Sequence, residues 1–156
     1  MGFRDELDQD TVGNLPLRDA IAVQHDTTAL DAVKLMREKS LGCAVIVDQG
    51  GTPTGLFSEQ SLVDMLARDL SLADHVVGDF TDAGLLVVRS SDPISRVWDA
   101  VERDGLRFVL VTDEQGKLIG VTGQRGIAEY LAERFPQQVL VQRLGNTPWM
   151  QQREGA

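Results

Sequence analysis

Two stretches of the chain, "GLFSEQSLV" (55–63) and "GVTGQRGIA" (120–128), each read as a strand end turning tightly into a helix. A helix start presents unpaired N–H groups and the positive end of the helix dipole, an arrangement that holds anions. The first turn adds a hydroxyl at Ser58 and another three residues on, at Ser61. At the second turn the same two positions are Gly123 and Gly126, small enough to let a ligand or backbone come close. Arg107, just before "FVLVT", and Arg125, beside these glycines, carry guanidinium forks suited to phosphate. Ser58 reads equally as a helix N-cap, and Ser61 as a local bond to backbone.

The rest of the sequence offers little for catalysis. It contains no Gly-x-Ser-x-Gly elbow, no GxxxxGK[ST] loop, no Gly-x-Gly-x-x-Gly and no HExxH. His25 and His75 lack the neighbouring cysteine or carboxylate spacing of a metal site. The Asp and Glu residues fall on helix surfaces or turns, so no enzyme is expected. The single cysteine, Cys43, begins an apolar run and reads as a small buried hydrophobe.

Bulk properties narrow the classes further. The 156 residues suit one compact domain or two small repeats with a shared core. Hydrophobic residues make up 42% but aromatics only 5%, so that core must be aliphatic. A net charge of −9 argues against nucleic acid and anionic membranes as partners. A small anionic ligand is not excluded, because charges beyond roughly 8 Å are screened at physiological salt. The opening "MGFRDELDQD" lacks a leader's apolar region, and no apolar run approaches the ~18 residues of a membrane span. With a lone cysteine, these features imply a soluble cytoplasmic protein.

The elements that must position the turns come from an internal repeat. Shifted by 65 residues, the chain matches itself without a gap: Val12-Gly13 falls on Val77-Gly78, "AVIVD" (44–48) on "VLVTD" (109–113), and Gly55 on Gly120. Each copy reads strand, helix, strand, strand, helix. In the first, Ile21 to Val23 is a strand, and Thr27 and Thr28 are cap candidates for a helix with Ala29, Ala32, Val33 and Met36 on one face. "CAVIV" (43–47) is a strand covered on both sides, "DQGGTPTG" (48–55) a hairpin, and Ser58 opens a helix carrying Leu62, Met65, Leu66 and Leu70.

In the second copy Ser91 is the cap candidate, with Pro93 in the first helical turn and Ile94, Val97, Trp98 and Val101 as the apolar face. "FVLVT" (108–112) and "LIGVT" (118–122) form the hairpin, followed by a helix with Ile127, Ala128 and Leu131. The acidic stretch "DELDQD" (5–10) reads as a frayed lead-in. The apolar tail 137–156, with Trp149 and Met150, reads as packing back on the module or meeting a partner.

"TTALDAVKLM", the "AVIVD…G…G" hairpin and "GLFSEQSL", with their counterparts "DPISRVWDAV", "VLVTD…G…G" and "GVTGQRGI", resemble the tandem cystathionine-β-synthase (CBS) domain pair, or Bateman module. The resemblance covers roughly residues 12–135. It implies an α/β (α+β) fold of two pseudo-twofold βαββα repeats packed through their sheets. The segments are a lead-in (1–11), repeat 1 (12–70), repeat 2 with its linker (71–135) and a tail (136–156).

The resemblance also implies an adenosine nucleotide (AMP, ADP or ATP) or S-adenosylmethionine bound between the repeats. In the family pattern Gly-hydrophobic-x-Thr/Ser-x-x-Asp the hydroxyl approaches phosphate and the Asp takes the ribose. Here Ser61 and Gly126 stand at the Asp position, and Gly123 at the second hydroxyl position. The implied ligand-binding set is Ile21, Val23, Gly42, Cys43, Ala44, Phe57, Ser58 and Ser61 from the first copy. The second contributes Val88, Arg107, Phe108, Val109, Thr122, Gly123 and Arg125. On side-chain chemistry a nucleotide should prefer the first turn, and Ser61→Asp should tighten it. A homodimer, an unidentified protein partner and a regulatory, non-catalytic role complete the implication. The competing reading is a structural or adaptor pair that no longer binds nucleotide.

Overall fold

The structure, a computed structural model, describes residues 2–135; the tail reading falls outside them. Two three-stranded sheets carry the repeats. The first holds β1 (Ala22–Val23), β2 (Cys43–Val47) and β3 (Pro53–Ser58), with helices α2 (Ala29–Lys39) and α3 (Glu59–Ala67). The second holds β4 (Val87–Arg89), β5 (Phe108–Thr112) and β6 (Leu118–Gly123), with α4 (Ile94–Glu102) and α5 (Gln124–Arg134). In each, the first strand runs parallel to the second and the second antiparallel to the third. The all-apolar run of β2 is buried throughout, as a strand covered on both faces requires.

The two hairpins use one device. Asp48 Oδ1 accepts from the N–H groups of Gly50 and Thr52, and Asp113 Oδ1 accepts likewise from Gln115 and Lys117. Gly51 and Gly116 supply the left-handed residue that both turns need, at φ 85° and 83°.

The repeats are tied by exchanged segments. Val12 N–H donates to the Asp92 carbonyl and Gly13 N–H to that of Ser90; Val77 N–H donates to Thr27 and Gly78 N–H to His25. These pairs map onto each other under the 65-residue shift, so the start of each copy binds the helix entrance of the other. That reciprocity is the pseudo-twofold relation seen at the level of single bonds.

Five local expectations change. Pro93, not Ser91, occupies the N-cap of α4, and it offers no side-chain cap bond. Leu70 lies beyond the end of α3, and Leu66 and Ala128 face solvent, while Tyr130 takes the buried place on α5. Stretch 5–10 is not frayed: most of it lies in helix α1 (Phe3–Gln9), which packs on α4. Leu7 is fully buried there, and Arg4 makes a bidentate pair with Asp99 at 2.8 and 3.0 Å. Following α1, Asp10 accepts from Tyr130 Oη at 2.7 Å and Arg134 Nη2 at 3.1 Å. The docking of this stretch was out of local view because Tyr130 and Arg134, which both bond Asp10, lie 120 and 124 residues away.

Candidate functional site

The first turn is closed upon itself. Ser58 caps α3: its Oγ accepts from Ser61 N–H at 3.3 Å, while Ser61 Oγ accepts from Ser58 N–H at 3.1 Å. This reciprocal box satisfies donors that a ligand anion would otherwise find. The Ser58 hydroxyl in turn donates to Asp82 Oδ2 at 2.5 Å, and Asp82 Oδ1 accepts from Gly84 N–H at 2.8 Å. Both serines are buried, at 4% and 5% exposure. The linker thus places a carboxylate of the chain itself against the hydroxyl at the α3 entrance.

The second turn is open. A cleft of about 400 Å³ lies over the start of α5. Leu17, Leu41, Phe108 and Val121 form its apolar walls, and Arg18, Arg107 and Arg125 bring positive charge. Gly123 gives α5 no side-chain cap, and the first-turn residues Gln124, Arg125 and Gly126 line the cleft. Neither glycine there is an empty loss. A Cβ on Gly123 would stand 2.2 Å from the Arg107 carbonyl oxygen, and one on Gly126 would stand 2.3 Å from Thr122 Oγ1. Backbone approach excludes a side chain at Gly123, whereas at Gly126 the Thr122 side chain fills the space, with the Pro16 carbonyl oxygen at 3.0 Å.

The cations at the mouth are held by exchangeable surface partners. Arg107 pairs with Glu59 at 3.3 Å and lies over the Phe108 ring, Arg125 pairs with Glu129 at 3.2 Å, and Arg18 donates to the Ser40 carbonyl. Such exposed pairs contribute little to stability, so an incoming anion displaces them at small cost.

Of the residues implied by sequence, Arg107, Phe108, Thr122, Gly123 and Arg125 meet at this cleft. Gly42 lines a separate shallow depression with Met36, Glu59 and Leu62. Ile21, Val23, Cys43, Ala44, Phe57, Val88 and Val109 are buried in the two hydrophobic cores. Burial pushes the Cys43 thiol up to about 12, against the pull of Arg107 and Arg18, so it stays a neutral core group. Among the described residues no cluster of His, Cys, Asp or Glu is arranged to hold a metal, and no helix is long and apolar enough to cross a membrane.

Sequence reasoning missed Pro16, Leu17, Arg18 and Asp82. The signal was present, because the 65-residue shift lays Leu17 on Asp82. The segment at one turn is thus apolar where its counterpart is acidic.

The CBS domain profile matches residues 12–68 and 77–133, nearly the whole of both repeats. The chain belongs to the CBS domain family. Among solved CBS structures, a CBS domain protein from Pyrobaculum aerophilum complexed with AMP superposes with a TM-score of 0.69 at 19% identity, over 85% of this chain and 96% of that one. The CBS domain pair of protein MJ0100, in complex with 5′-methylthioadenosine and S-adenosyl-L-methionine, gives 0.68 at 14% identity over 80% and 97%. An uncharacterised protein of Methanopyrus kandleri is 27% identical over 120 residues, 76% of this chain and 61% of that protein. The chain therefore spans about three fifths of that relative's length.

Proposed function

We propose that this CBS pair is a regulatory module that binds one adenosyl ligand, of the AMP, ADP, ATP or S-adenosylmethionine class, in the cleft over the start of α5. The observation that carries the reading is that cleft itself: apolar walls for a base, an uncapped helix start for an anion, and arginines at the mouth. Structural neighbours complexed with AMP and with S-adenosylmethionine support the ligand class. Ligand binding would favour one relative orientation of the repeats, which a partner reads. No catalytic step is assigned. The module works in the cytoplasm as a homodimer, the dimer being supported by Val63 and Leu66, each 56% exposed on α3.

A thermal-shift series with AMP, ADP, ATP, S-adenosylmethionine and NAD tests the ligand reading, since a ligand of the native state raises the midpoint by mass action. At least one adenosyl ligand should raise it in a concentration-dependent way. The closed first turn favours the alternative, an adaptor pair acting through dimerisation or partner contacts. That alternative prevails if none of the five shifts the midpoint. Light scattering that returns the monomer mass at micromolar concentration would remove the dimer.

A further inference from the structure

We propose that Glu59 is a built-in competitor of the ligand's phosphate: it holds Arg107, and a phosphate binding in the cleft must take Arg107 from it. The inference rests on the adenosyl reading above and names what regulates that site. Of the three arginines at the mouth, Arg125 is held by Glu129 on its own helix and Arg18 by the Ser40 carbonyl of its own repeat. Among the described residues, Arg107 alone of the three is held across the repeats, by the carboxylate of the first residue of α3.

The pair exists because the two repeats differ at two matched positions. The 65-residue shift lays Arg107 on Gly42 and Gln124 on Glu59, so the first repeat has no cation and the second no carboxylate there. At Gly42 a Cβ would stand 2.5 Å from Glu59 Oε1 and 3.0 Å from the Phe108 ring. The missing side chain leaves Glu59 free to lie over Gly42 and meet Arg107 at 3.3 Å. The contact is a single one, unlike the paired bonds of Arg4 to Asp99, and both side chains are more than half exposed. Glu59 lines the neighbouring depression rather than the cleft, and Leu41 lines both. Arg107 therefore stands on the rim, with a carboxylate on one side and the cleft on the other. A phosphate dianion that also meets Arg18, Arg125 and the start of α5 attracts the guanidinium more strongly than one solvated carboxylate. Glu59 then turns to water, which costs little for a group already exposed. A contact between the repeats is thereby exchanged for one with the ligand.

The test is calorimetric titration of the full chain, as wild type, Glu59→Gln, Arg107→Gln and the double variant, with AMP and with adenosine, which lacks the phosphate. Glu59→Gln should bind AMP about threefold more tightly, the worth of an exposed ion pair, and adenosine as wild type does. Arg107→Gln should weaken AMP, and adding Glu59→Gln to it should change nothing further, because the competition runs through Arg107. Unchanged AMP binding by Glu59→Gln overturns the inference. Weaker binding overturns it too, since Glu59 would then be steadying Arg107 for the ligand. A gain that persists in the double variant overturns it as well, because Glu59 would be acting by repulsion alone. In each case the adenosyl reading stands. A wild type that binds S-adenosylmethionine but not AMP overturns the inference alone; one that binds no adenosyl ligand overturns both.

Discussion

The Ser58 hydroxyl donates to Asp82 across 2.5 Å, joining the entrance of α3 to the linker between the repeats. The relationship places the chain's own carboxylate where side-chain chemistry alone would seat a ligand. It also makes the pseudo-symmetric module structurally lopsided, with one turn closed and one open.

Restoring a carboxylate at the first turn should therefore fail to create affinity. Ser61→Asp would set a second carboxylate one hydroxyl away from Asp82, and like charges at that range disfavour each other. The variant should melt below wild type and bind AMP no more tightly. Asp82→Asn in the same chain should recover part of the lost stability. A tenfold gain in calorimetric affinity for Ser61→Asp alone would contradict this account.

Adding a hydroxyl at the second turn should be destabilising for a different reason. Gly123→Ser brings a Cβ to within 2.2 Å of the Arg107 carbonyl oxygen, so β5 and β6 must separate locally. Overpacking of this kind costs about 1–3 kcal/mol. Urea denaturation should show a lower midpoint with an unchanged slope; a wild-type midpoint would refute the close approach.

Tyr130 is the chain's one tyrosine, which makes its titration directly readable. Burial and its hydrogen bond to Asp10 push it up to about 12, from an ordinary value of about 10. Neutral Tyr130 therefore contributes stability in full below pH ~10, and the contribution is lost as pH rises towards 12. Near-ultraviolet tyrosinate absorbance should rise around pH 12 in the folded protein. Asp10→Asn removes the adjacent negative charge and should bring the midpoint down; no movement would mean the contact does not form.

Cys43 should be silent towards thiol reagents in the native state. It is fully buried on β2, and burial raises its thiol to about 12, leaving almost no thiolate at neutral pH. Its labelling rate should follow unfolding as urea is added. Rapid labelling without denaturant would show that β2 is not the covered strand described.

Much of the architecture was legible because its determinants are local and periodic. Apolar runs such as "CAVIV" and "FVLVT", the Asp and Gly of each hairpin, and Thr28 ahead of α2 act through neighbours within a few residues. Thr28 Oγ1 does accept from Asp31 N–H at 3.1 Å, as a cap three residues upstream should. The 65-residue offset also carried the pairing of the repeats, since equal patterns fold to equal units. The α1 docking was hidden, because it rests on Arg4 with Asp99 and Asp10 with Tyr130, and no window of sequence contains both partners.

By itself the sequence determined two βαββα copies, each with a strand end turning into a helix entrance. Which entrance stays open was decided only by the tertiary structure. The choice turns on the segments around Leu17 and Asp82, brought to the turns from elsewhere in the chain. A serine at a helix start is equally able to bind a ligand's anion or a carboxylate of the protein. Only folding delivers Asp82 to Ser58, and only folding leaves the α5 entrance lined by Leu17, Thr122, Gly123 and Gly126.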